Sequence, residues 1–86
     1  MASIEDVRAG IALANDKASE SISALEQAHN SLEQAQSALQ RVTEGSTQAD
    51  VSEANGLLAQ AVGSIADVQQ AVSAAIQASE GVANRL

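Results

Sequence analysis

One short segment of the chain has the spacing of a helical metal site: Glu26-x-x-His29, with Glu33 one turn further along. Residues three and four apart share a helix face, and Glu-x-x-His pairs ligate iron in di-iron helical bundles. That chemistry requires both side chains to face into the bundle beside further carboxylates. The chain has no second Glu-x-x-His, and residue 26 falls on the solvent side of the helical pattern described below. The sequence therefore predicts no metal site.

Other catalytic arrangements are also missing from the sequence. Nucleophilic catalysis needs a base beside a hydroxyl or thiol, and the chain has one histidine and no cysteine. The segment Glu44-Gly45-Ser46 is typical of a turn rather than of a phosphate-binding loop. We expect Ser21 and Ser79 to hydrogen bond back to the preceding helical turn. The sequence predicts a protein that is not an enzyme and that has no cofactor.

The composition favours a small acidic helical protein. Its 86 residues include no aromatic residue, cysteine or proline, and the net charge is −7. This charge repels nucleic-acid phosphates and anionic membrane surfaces. No apolar run approaches the roughly 20 residues of a membrane span, and the first residues do not resemble a signal peptide. We therefore expect a cytoplasmic protein with no nucleic-acid or membrane partner, although leaderless export stays possible.

Two long heptad patterns predict an all-α antiparallel helical hairpin that forms a single domain over residues 1–86. With Ile4 and Val51 as position a, apolar or small residues recur at a and d over most of the chain. The predicted helices span about 4–43 and 48–84, with the turn at about 44–47. Gly45 is placed to end the first helix.

Capping residues support both helix starts. Ser3 with Asp6 is a variant of the capping box at the first helix, and Thr47 with Asp50 repeats it at the second. Each pair places a hydroxyl acceptor before the helix and an acid in its first turn, where the helix dipole favours negative charge. The pattern therefore predicts two separate helices rather than one.

The predicted contact between the helices runs along positions a and d. In an antiparallel pair a faces d, so that large residues meet small ones through most of the half near the turn, as in Leu32 with Ala61. We call this set the predicted seam; it comprises Ile11, Leu25, Ala28, Leu32, Ala35, Leu39, Val42, Val51, Leu58, Ala61, Ile65, Val68, Val72 and Val82.

The flanks of the predicted seam carry almost no charge. Apart from Glu44 and Asp50, which flank the turn, every acidic residue falls at b, c or f, whereas coiled coils usually place charges at e and g. The resulting neutral sector is wider than two helices can cover. Its predicted association face consists of Ile22, His29, Leu57, Val62 and Ile76. On this interpretation a charge at Ala28 or Ala61 breaks the hairpin, whereas a charge at Ile76 blocks association alone.

Several segments resemble known proteins. The stretches Asp6–Ile11, Ala28–Glu33, Thr43–Ser46 and Ser79–Leu86 look like those of a family of small actinobacterial helical-hairpin proteins without an assigned function. In size and hairpin form the chain is also similar to the WXG100 (ESAT-6-like) secreted hairpins, although it lacks their Trp-x-Gly motif. The second resemblance implies a four-helix bundle formed by two hairpins.

Two kinds of function remain open from the sequence. The first is a self-associating scaffold or adaptor, a homodimer whose outer acidic faces present a docking surface. The second is an obligate partner subunit, or a leaderless exported hairpin, that binds a different helical protein. A wide neutral face serves both, so the sequence predicts a protein–protein interaction module without choosing its partner.

Overall fold

The computed structural model describes residues 3–42 and 49–86. It contains two helices, α1 (Ile4–Val42) and α2 (Ala49–Arg85), which pack against each other as an antiparallel hairpin. The hairpin measures 64 × 18 × 15 Å, so it is a rod two helices wide. The predicted all-α hairpin fold is confirmed. The predicted turn at 44–47, the helix stop at Gly45 and the cap at Thr47 lie outside the described residues.

The start of α1 shows how the sequence specifies a helix end. The backbone N–H of Asp6 donates to Ser3 Oγ at 3.1 Å, and the backbone N–H of Ser3 donates to Asp6 Oδ2 at 3.4 Å. The first backbone bond of the helix follows, from Val7 N to Ser3 O at 3.0 Å. These reciprocal bonds satisfy amide groups that have no partner within the helix. The predicted capping box at Ser3 and Asp6 is confirmed.

The two helices meet along positions a and e rather than along a and d. The half-buried residues of α1 occupy only a and e, and most of those of α2 occupy the same positions; near the turn α2 adds Ala54 and Ala61 from position d. We call this contact the seam; its half-buried a and e members are Ile11, Asn15, Ala18, Ile22, Leu25, His29, Leu32, Gln36, Leu39, Val51, Asn55, Leu58, Val62, Ile65, Gln69, Val72, Ile76, Ser79 and Ala83. No residue in the described ranges is fully buried.

The sizes of the side chains explain this rotation of the helices. Position e carries Ile22, Val62 and Ile76 towards the middle of the helices, whereas most residues at position d are Ala or Ser. Each additional buried methylene stabilises the contact by about 0.8 kcal/mol, so the two helices turn their larger side chains toward each other. Polar residues at e enter the seam as a result. Asn55 Oδ1, for example, is buried without a hydrogen-bond partner among the described residues.

We infer the register of the hairpin from two observations. Ile11 is the first half-buried residue of α1 and Ala83 the last half-buried a or e residue of α2, so we align these two residues at the same level. A shallow groove lined by Glu26, His29, Asn30 and Gln69 places Gln69 beside the middle of α1. With a facing e, Gln69 is then level with Leu25, and Leu58 is level with Gln36.

Gly63 offers a direct test of the helical geometry, because it lies exposed within α2. A Cβ added there meets nothing within 4 Å. We expect Gly63→Ala to raise the free energy of unfolding by about 1 kcal/mol, since alanine loses less backbone entropy in a helix. Urea denaturation followed by circular dichroism measures the change. As a matched control, Ala74→Gly at another exposed position of α2 should lower the free energy of unfolding by a similar amount. If the free energy of unfolding stays the same in both variants, the helical placement of Gly63 and Ala74 is contradicted.

Candidate functional site

Positions d and g of both helices form an exposed surface along the hairpin, which we call the open face. All of its members are exposed except Ala54 and Ala61, which are half-buried near the turn. Its larger apolar side chains include Leu57, 59% exposed, and Val68, 47% exposed. The open face consists of Val7, Gly10, Ala14, Lys17, Ser21, Ala24, Ala28, Ser31, Ala35, Ala38, Val42, Asp50, Ala54, Leu57, Ala61, Ser64, Val68, Ala71, Ala75, Ala78, Val82 and Arg85.

Both helices contribute to the same side of the rod. Each residue turns the helix by about 100°, and in an antiparallel pair that meets through the same positions, d and g of both helices lie on one side of the contact. The open face carries three charges: Lys17, Arg85 and, in the first turn of α2, Asp50. The other acids of the two helices occupy b, c and f, on its rim and on the remaining surface. One side of the hairpin is therefore nearly neutral while the rest is acidic.

The structure divides the predicted site residues differently from the sequence interpretation. Four members of the predicted association face, Ile22, His29, Val62 and Ile76, are half-buried in the seam, whereas Leu57 is exposed on the open face. The exposed members of the predicted seam all lie on the open face: Ala28, Ala35, Val42, Val68 and Val82. The remaining members are half-buried between the helices: Ile11, Leu25, Leu32, Leu39, Val51, Leu58, Ala61, Ile65 and Val72.

A signal for this arrangement was present in the sequence. Positions a and d carry no charge and positions e and g carry few, so the heptad pattern alone permits a contact on either side of a. Residue size separates the two: the central e residues Ile22, Val62 and Ile76 are larger than the alanines at d. Of the valines at d, Val7, Val42 and Val82 lie near helix ends and only Val68 is central. Comparing side-chain volume at d and e would have favoured the observed seam.

His29 is the one imidazole of the chain and lies half-buried at the edge of the seam. Its Nε2 is 3.2 Å from Glu33 Oε1, one turn along the same helix. Glu26 lines the shallow groove next to it, together with Gln69 of α2. Across residues 3–42 and 49–86, no three His, Cys, Asp or Glu side chains lie close enough together to hold a metal ion. Within the described residues, His29 therefore has a side-chain partner one turn along α1 and no cluster of metal ligands around it.

Local interactions neutralise part of the open face. Lys17 Nζ lies 3.5 Å from Glu20 Oε2, with both side chains well exposed; such surface pairs contribute little to stability. Ser21 Oγ donates to the carbonyl oxygen of Ala18 at 2.9 Å, which confirms the predicted bond to the preceding turn. Ser21 is therefore satisfied locally and can lie against an apolar neighbour without an unpaired hydroxyl.

The hairpin exposes more surface than its mass requires. A compact monomer of 8.7 kDa exposes about 4,700 Å², whereas this chain exposes 6179 Å². The difference, roughly 1,500 Å², exceeds the roughly 800 Å² that one partner buries in a protein–protein interface of standard size. An extended hairpin with no fully buried residue in its described part and an exposed apolar face has the character of a protein that binds partners.

These features define the class of the protein as an extended two-helix antiparallel hairpin. No protein-family model, curated protein or solved structure matches the chain. Neither α1 nor α2 combines the length and the hydropathy needed to cross a membrane. The two family resemblances of the sequence therefore stay predictions, and the structure shows the two-helix hairpin architecture alone.

Proposed function

We propose that this chain is a non-enzymatic protein–protein interaction module in which two hairpins associate into a four-helix bundle. The observation that carries the proposal is the open face, which is exposed along most of the hairpin and holds only three charges, Lys17, Asp50 and Arg85. Soluble monomers rarely leave large apolar patches in water, and this face exposes Leu57, Val68 and Val82 among small, mostly uncharged residues. Covering it with a second pair of helices is the arrangement that four-helix bundles use.

A scaffold or adaptor role is consistent with the distribution of charge. Association through the open face leaves the acidic b and f positions of both hairpins in water, among them Asp16, Glu26 and Glu33. Each hairpin has a net charge of −7, so the assembled bundle presents an acidic outer surface on all sides. Basic partners would be attracted to such a surface and nucleic acids repelled from it.

Light scattering behind a sizing column, with circular dichroism on each sample, tests the proposal. We expect the mass of a dimer and strong helicity at micromolar concentration, with dissociation on dilution. The dimer should also melt at a temperature that rises with concentration, because association stabilises the folded state by mass action. A monomeric mass across the whole concentration range contradicts self-association and favours binding to a different helical protein. Poor helicity of that monomer would be further evidence for such a partner.

A further inference from the structure

We infer that two copies of this chain pair with their turns at the same end, so that α2 of each copy packs on α1 of the other. This inference rests on the proposed function and specifies the geometry of the dimer. A symmetric pair of face-to-face hairpins has two arrangements. A two-fold axis along the rod places α1 against the partner's α2, whereas an axis across the rod places α1 on α1 and α2 on α2 with the turns at opposite ends.

Side-chain size on the open face differs between the helices. Between residues 10 and 38, α1 presents only Gly, Ala and Ser there, apart from Lys17. The open face of α2 carries three larger apolar side chains spaced along its length, Leu57, Val68 and Val82, which are 40–59% exposed. Helices pack most closely when large side chains of one fit against small residues of the other. The sizes therefore favour α2 on α1.

The register of the hairpin places each large side chain opposite small ones in the same-end arrangement. A two-fold axis along the rod keeps every residue at its own level, so α2 meets the partner's α1 in the register already present within one hairpin. Val68 then lies between the positions of Ala24 and Ala28 on the other copy. Leu57 lies between Ala35 and Ala38 in the same way, and Val82 between Gly10 and Ala14.

Charge supports the same arrangement. At the turn end, the register brings Arg41 of α1 level with Glu53 of the other copy's α2. Both residues occupy position c, on the rim of the open face. At the open end, Arg85 comes near Asp6 of the other copy. Each contact occurs twice by symmetry, and no two like charges come level across the rim. Such rim pairs contribute more to specificity than to affinity.

The opposite-end arrangement fits less well. It places the small-residue surface of α1 on itself, and it brings Leu57 of one copy level with Arg85 of the other when the two rods are centred on each other. The hairpins would then meet closely along α1 and remain apart along α2.

The open face is large enough for a stable dimer interface. It follows a rod of 64 × 18 Å, so its area is roughly 1,000 Å² per copy, compared with about 800 Å² that each partner buries in an interface of standard size.

Distances between spin labels distinguish the two arrangements. The chain has no cysteine, so Ser37→Cys and Ser23→Cys each provide a single labelling site at an exposed f position. Ser23 lies at the middle of α1 and Ser37 near the turn end. In the same-end dimer both labels remain level with their copies, and we expect the two variants to give the same distance, roughly 35 Å across a bundle of helices 8–10 Å apart.

The turns-opposite dimer predicts a different result. The Ser37 labels would then be separated by about 42 Å along the rod alone, at 1.5 Å per residue, while the Ser23 labels would stay level. A Ser37 distance that exceeds the Ser23 distance by 15 Å or more overturns the same-end arrangement but leaves self-association intact. Absence of any intermolecular distance, with a monomeric mass by light scattering, instead overturns the proposed function.

Discussion

Val68→Glu is expected to weaken dimerisation at least 100-fold while leaving each hairpin helical. Val68 lies at the centre of the open face, 47% exposed in the hairpin, so a carboxylate there stays in water as long as the chain is monomeric. In the dimer the charge would be buried against the alanines of the other copy, twice by symmetry. Burying an ionised carboxylate without a partner costs several kcal/mol, and a factor of 100 corresponds to about 2.8 kcal/mol.

Sedimentation equilibrium measures the dimerisation constant of this variant, and circular dichroism reports its helicity. The matched control is Gln70→Glu, which adds the same charge at an exposed f position of α2, away from the open face. We expect the control to dimerise within a few fold of the unmodified chain. If Val68→Glu and Gln70→Glu associate equally well, the open face is not the dimer interface.

Ile76→Glu is expected to destabilise the hairpin itself. Ile76 is half-buried at position e, near the level of Ala18. Replacing it removes apolar contact and places a carboxylate between the helices, at a cost of about 2–4 kcal/mol. A chain of this size has a small stability reserve, so we expect most of the helical signal to disappear at 25 °C and low concentration.

Circular dichroism during urea titration measures this loss. Gln77→Glu, at the next residue, adds the same side chain at an exposed f position and should leave the midpoint almost unchanged. The a and d interpretation of the sequence predicts the opposite for Ile76→Glu, namely an intact helix and a loss of association only. A fully helical Ile76→Glu chain would therefore support that interpretation over the observed seam.

The two glutamate variants separate folding from association. A charge at position e reaches the contact within one hairpin, whereas in the proposed dimer a charge at d reaches the contact between hairpins. With the helices in contact through a and e, we expect Ala28→Glu to weaken association and leave the hairpin helical, as Val68→Glu does, because Ala28 is exposed on the open face. The two classes of variant should differ in their helicity at dilutions where every chain is monomeric.

The sequence by itself determined the helices and the hairpin. The heptad patterns predicted α1 and α2 to within one residue at each end that the structure describes, and Ser3 with Asp6 predicted the cap that begins α1. These features depend on residues a few positions apart, where local spacing decides the backbone conformation. The heptad pattern also showed that the neutral sector is wider than the contact between two helices can cover, because this too depends only on the spacing of residues along each helix.

Which part of that sector lies between the helices was decided only by the tertiary structure. Positions d and e lie on opposite sides of a. Apart from Arg8 at e, both positions carry neutral residues, so the heptad pattern does not distinguish a contact through a and d from one through a and e. The choice depends on total burial when two surfaces meet, and there the central Ile22, Val62 and Ile76 outweigh the alanines at d. Packing therefore placed His29 in the seam and left Ala28, Val68 and Val82 on the open face.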